Sequence, residues 1–66
     1  MIVNSGEICL SVTLYEQDAW DLAQFLKRTE FADFRSNAVV DEEAYRMMVV
    51  AEKLKSNLAA IGYSPR

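Results

Sequence analysis

The sequence predicts a small α+β protein in which a short N-terminal β-strand precedes two α-helices. Apolar residues alternate with smaller, more polar ones from Ile8 to Leu14, which is the period of a strand. From Glu16 onward the apolar spacing becomes helical, and a second, longer helical pattern begins at Asp41. With 66 residues, the chain is expected to form a single domain over residues 1–66.

The predicted strand lacks a clear partner within the chain. Residues 1–3, followed by a turn at residues 4–6, offer a hairpin as an alternative, although so short a strand pairs weakly. A lone strand leaves a row of backbone N–H and C=O groups without hydrogen bonds. We therefore expect the strand to pair with its counterpart in a homodimer. The residues expected at this interface are Ile8, Leu10, Ser11, Val12 and Thr13.

The first helix is predicted from Glu16 to Arg28. Its apolar residues recur at i, i+3, i+4 and i+7, which places them on one face of a helix. This stripe consists of Ala19, Leu22, Ala23 and Leu26. Tyr15 is a poor N-cap, so Thr13 or Glu16 is the expected capping residue.

The second helix follows a connection over residues 29–40, in which the spacing of Phe31 and Phe34 predicts one helical turn. Asp41 is the expected N-cap of this helix, and Gly62 suits the left-handed position just after its end. The apolar stripe of the second helix consists of Ala44, Met48, Ala51, Leu54, Leu58 and Ile61.

This second stripe is wider than a core of two other elements requires. Met47 and Val50 extend it on one flank, and Tyr45 and Val49 extend it on the other. One strand and one short helix do not need apolar residues around about half of a helix's circumference. We expect the excess apolar surface to contact a second subunit or a partner protein.

Composition and charge argue against several classes of function. Cys9 is the only cysteine and the chain has no histidine, so we expect no disulfide, metal site, cofactor or enzymatic activity. A net charge of −3 makes nucleic-acid binding unfavourable without excluding it. The sequence contains no long apolar run and no signal-peptide pattern at its start. We therefore expect a cytoplasmic protein that does not enter a membrane.

Acidic residues cluster where the two helices are predicted to begin, and these clusters have two interpretations. Their charge complements the helix dipole, which is a structural role. Alternatively, they form one partner-binding surface if the fold brings the two helix starts together. The candidate residues are Glu16, Asp18, Asp21, Asp41, Glu42 and Glu43.

Three stretches of the chain resemble a group of small proteobacterial proteins that plasmids and phages largely encode. They are VTLYEQDAWDLAQFLKR, FADFRSNA and DEEAYRMMVVAEKLKSNLAAIGYSPR. The resemblance covers residues 12–66 and implies a mobile-element setting rather than an activity. In that setting small acidic proteins often act by binding, and anti-CRISPR inhibitors of host defence complexes are one such class.

The leading functional hypothesis is therefore a small acidic, non-enzymatic binding protein. It would inhibit a host defence complex by covering a surface that normally binds nucleic acid. The alternative is a dimeric transcriptional regulator similar to ribbon–helix–helix repressors, which share the order strand, helix, helix. The outward positions Glu7, Cys9, Ser11 and Thr13, however, lack the side chains that make bidentate base contacts.

Overall fold

The computed structural model describes residues 6–65 and contains three α-helices. They are α1 (Glu16–Arg28), α2 (Phe31–Ser36) and α3 (Asp41–Ala60). Residues 6–65 include no β-strand, so the prediction of an α+β fold is wrong and the protein is all-helical. The alternative hairpin through residues 1–3 lies outside the described residues.

Residues 7–15, which we call the N-terminal arm, lead into α1 without regular secondary structure. The predicted strand Ile8–Leu14 and its strand-paired interface, which included Ser11 and Thr13, are therefore corrected. From residue 7 to residue 14 the arm makes no backbone hydrogen bond with any described residue. Alternation predicts which side chains share a face, but a strand also needs a partner for its backbone.

The three helices begin with the same local device. In each case a carboxylate in the first turn accepts a hydrogen bond from a backbone N–H group just before the helix. Asp18 Oδ2 accepts from Tyr15 at 3.2 Å, Asp33 Oδ2 from Glu30 at 2.8 Å, and Glu43 Oε1 from Val39 at 2.7 Å. Each bond satisfies a donor that a helix start leaves unpaired. The expected N-caps Thr13 or Glu16 for α1 and Asp41 for α3 are thus replaced by Tyr15 and Val40.

The end of α3 confirms the role predicted for Gly62. Its φ of 101° lies in the left-handed region, where glycine has no Cβ to clash. The Gly62 N–H donates to the carbonyl of Ala59 at 3.1 Å, and the Tyr63 N–H donates to that of Leu58 at 2.8 Å. This pair of bonds is a Schellman motif, and it turns Tyr63 back onto the core.

The core lies between α1 and the C-terminal half of α3. Ala19, Ala23, Leu26 and Leu58 are buried there, and Leu22, Ala51 and Tyr63 pack against them. The stripe predicted for the first helix is therefore confirmed. At the other end of α3, Ala44 is fully buried where α2 packs, and the rings of Phe31 and Tyr45 lie 5.1 Å apart.

None of the helices in the described part of the chain is both long and apolar enough to span a bilayer.

Candidate binding surfaces

The acidic residues of α1 already have partners within the chain. Asp18 accepts the Tyr15 N–H described above. Asp21 Oδ1 accepts a hydrogen bond from Gln17 Nε2 at 2.9 Å, one helical turn earlier. Glu16 Oε1 accepts the hydroxyl of Tyr63 at 3.4 Å, across 47 residues of sequence. These contacts favour a structural role for this cluster.

At the start of α3, two of the three acidic side chains are likewise engaged. Asp41 Oδ1 lies 2.6 Å from Arg35 Nε, and Arg35 Nη1 also donates to the carbonyl of Ala38 at 2.9 Å. Glu43 accepts the Val39 N–H. Glu42 is exposed and makes no side-chain hydrogen bond with any described residue. Of this cluster, Glu42 is the carboxylate available to a partner without breaking an internal contact.

The fold does not bring the two acidic clusters together. The start of α1 lies beside the C-terminal end of α3, because Glu16 contacts Tyr63 and Ala19 packs near Leu58. The second cluster stands at the opposite end of α3. A 20-residue helix is about 30 Å long. The six predicted residues therefore form two separate acidic sites rather than one surface.

Tyr63 has a raised pKa. Its pKa is raised above the usual 10.0 by partial burial against α1, by the nearby charge of Glu16 and by the hydrogen bond to Glu16. All three causes favour the neutral phenol, because ionisation would place a second negative charge beside a carboxylate. The neutral hydroxyl donates to Glu16, and this contact joins the C-terminal turn to α1.

The N-terminal arm presents its apolar residues to solvent. Ile8, Leu10 and Val12 are 80%, 83% and 73% exposed. Ser11 and Thr13 are exposed as well, and their hydroxyls bond to no described residue. Cys9 is a free, exposed thiol on the same segment. The arm thus exposes apolar side chains that the rest of the described chain does not cover.

A second exposed apolar surface runs along α3. Two of its four residues, Leu54 and Ile61, belong to the stripe that the sequence predicts to be in the core. We call the exposed surface the α3 stripe, formed by Met47, Val50, Leu54 and Ile61. At 100° per residue these positions fall within an arc of about 60°. Leu54 and Ile61 are 41% and 70% exposed, because the core is centred on Ala44, Ala51 and Leu58 instead. Steps of 3, 4 and 7 residues also separate Ala44, Met48, Ala51 and Leu58, so spacing alone does not distinguish the two surfaces.

The opposite flank of α3 carries an open groove of about 750 Å³. Tyr45 and Val49 line it together with Met48, Glu52 and Lys53. Phe31 from α2 packs against the Tyr45 ring and so covers part of this flank from within the chain. Both apolar flanks predicted for this helix are present, one with Met47 and Val50 and the other with Tyr45 and Val49. The second is partly covered, because Phe31 of α2 packs on Tyr45.

Residues 6–65 contain no group of three or more His, Cys, Asp or Glu side chains placed to hold a metal ion. What the described residues assemble is apolar surface and separated acidic sites.

A family model matches the chain over its given length. The model of a family of unknown function, DUF7706, matches residues 1–66. No curated protein and no solved structure matches the chain.

Proposed function

We propose that this chain, which belongs to the DUF7706 family of unknown function, is a non-enzymatic binding protein that covers a surface on another macromolecule. The observation that carries the proposal is that more apolar side chains are exposed than buried among the described residues. Five apolar side chains are buried, three of them alanines, whereas fifteen large apolar side chains of the described residues are exposed. Exposed apolar surface on this scale is typical of interaction sites.

We further propose that the protein acts as a homodimer in the cytoplasm. A 66-residue chain without a disulfide buries little surface on its own, so association is a common source of stability. The free thiol of Cys9 is compatible with a reducing compartment.

The specific form of the proposal is inhibition of a host defence complex, in the manner of anti-CRISPR proteins, by covering a surface that normally binds nucleic acid. A net charge of −3 suits a cationic partner surface. Of the acidic residues, Glu42 supports this form best, because its charge is not engaged with any described residue. The mobile-element setting implied by the resemblance is the second reason to propose it.

The experiment is a competition measurement. A tagged chain is used to isolate a complex from host lysate at fixed stoichiometry, and binding of that complex to its nucleic acid is then titrated with purified protein. We expect the wild-type protein to displace the nucleic acid and Glu42→Lys to do so at least ten-fold less well. Glu52→Lys is the control, since it makes the same charge change on α3 about 15 Å away; it also removes the ion pair of Glu52 with Lys55, whose Oε1–Nζ distance is 3.3 Å. A captured complex that binds protein and nucleic acid together would contradict occlusion.

The ribbon–helix–helix alternative has no support among the described residues. Such a regulator reads bases with a two-stranded ribbon, and residues 6–65 contain no strand to form one. The outward side chains of the arm also include no arginine, lysine, asparagine or glutamine.

A further inference from the structure

We propose that the α3 stripe is the surface through which two copies of this chain associate, with their α3 helices antiparallel. This inference rests on the proposed homodimer and assigns its interface. Three observations support it: the apolar row that the chain leaves exposed, the spacing of the stripe, and the distribution of charge along α3.

The α3 stripe is an apolar row that the described chain leaves uncovered. Val50, Leu54 and Ile61 are 62%, 41% and 70% exposed, and Met47 beside them is half-buried. Exposed apolar rows of this kind are typical of interaction surfaces. A second copy that presents the same row would remove it from water.

The stripe has the spacing of a surface that pairs with another helix. In a heptad repeat, Met47, Leu54 and Ile61 occupy the a positions, and Val50 and Asn57 occupy the d positions between them. The stripe is about 21 Å long and is centred on Leu54. In an antiparallel pair the two Leu54 side chains meet, and each Met47 lies opposite Ile61 of the second copy. The surface is thus complementary to itself, as a two-fold interface requires.

The acidic start of α3 favours the antiparallel arrangement. A parallel pair would bring the two acidic starts of α3 together, with Asp41, Glu42 and Glu43 of each copy at one end. An antiparallel pair separates these carboxylates by the length of the helix and places each beside the end of the other α3, whose last turn has neither acidic nor basic residues. Opposed helix dipoles favour the same arrangement.

Val49 and Val50 provide a matched test. They are adjacent, identical in side chain and similarly exposed, at 55% and 62%, but they lie on opposite flanks of α3. Lysine is a good helix former, so neither substitution disfavours α3. We expect light scattering to give the wild-type protein and Val49→Lys a molar mass near twice 7.5 kDa, and Val50→Lys a mass near 7.5 kDa. Val12→Lys, on the arm, is expected to remain dimeric.

Cross-linking supplies a second measurement that does not need a stable monomer. In a Cys9→Ser background, a short thiol-reactive cross-linker should join Leu54→Cys chains into dimers. It should not join Met47→Cys chains, whose thiols would lie about 21 Å apart in the antiparallel pair. Efficient joining through Met47→Cys would overturn the antiparallel arrangement, and joining through neither would overturn the interface.

The outcomes separate this inference from the proposals on which it rests. If the wild-type protein is monomeric over a concentration series, both the interface and the homodimer fail, while the competition measurement still decides the binding function. If Val50→Lys remains dimeric, the homodimer stands and the α3 stripe is wrong as its interface. Loss of the dimer in Val12→Lys alone would move the interface to the arm.

Discussion

The ring of Tyr63 stands nearly edge-on to that of Trp20, with centroids 4.9 Å apart and planes at 65°. The Tyr63 hydroxyl reaches Glu16 from this position, and the Schellman turn at Gly62 holds the backbone. Residues far apart in sequence thus close one end of the contact between α1 and α3. Tyr63 follows the end of α3, and its contacts with Trp20 and Glu16 stabilise the position of α1.

Truncating Tyr63 is therefore expected to destabilise the fold. Tyr63→Ala removes the aromatic pair and part of the packing on the cluster that contains Leu58, and we expect it to lower the urea midpoint of unfolding. Tyr63→Phe removes only the long hydrogen bond to Glu16 and should lower the midpoint less than Tyr63→Ala does. Urea unfolding followed by circular dichroism, at one fixed protein concentration, measures both.

Tyr15→Ala is the control for this pair, because the Tyr15 side chain is 82% exposed. Its unfolding midpoint should stay close to that of the wild type. If Tyr15→Ala and Tyr63→Ala lose equal stability, the contact between the C-terminal turn and α1 contributes nothing specific.

The raised pKa of Tyr63 predicts a loss of stability at alkaline pH. Partial burial is the largest cause of the shift, followed by the charge of Glu16 and the hydrogen bond to it. Because the folded state holds this proton more tightly, the contribution is fully present below the unfolded pKa near 10.0. It is lost as pH rises through the higher folded pKa.

Tyrosinate absorbance, with the Tyr63→Phe titration subtracted, should isolate this group among the three tyrosines. Glu16→Gln should move the Tyr63 pKa part of the way back, since burial remains. A Tyr63 that titrates at its ordinary value in the folded protein would contradict the contact.

The sequence predicts structure correctly where interactions between neighbouring residues determine it. The spacing of α1 and the glycine after α3 predicted a buried face and a helix end, and both are confirmed. The strand was predicted wrongly because alternation in the arm describes side chains only. Whether the backbone pairs depends on distant residues, which a single-sequence pattern does not reveal.

The prediction of a single acidic surface also depended on distant residues. Each cluster was located correctly at a helix start, but its distance from the other depends on how α1 packs along α3. The contact between Tyr63 and Glu16 lies at the far end of α3 from Asp41. Leu54 and Ile61 were assigned to the core because their spacing suits either flank, and only the packing of α1 distinguishes them.

Small side chains allow α1 to approach α3 closely, and this gives a final prediction. Ala23 is 1% exposed and packs in the cluster that contains Leu58. Ala23→Leu adds three carbons where no space is available, so we expect it to lower the free energy of unfolding by about 1–3 kcal/mol. Ala60→Leu makes the same change on an exposed part of α3 and should shift it by less than about 0.5 kcal/mol. Both leucines suit a helix, so a difference between the variants reports the packing of α1 on α3. Equal urea midpoints for the two would show that Ala23 does not lie in a close-packed contact between these helices.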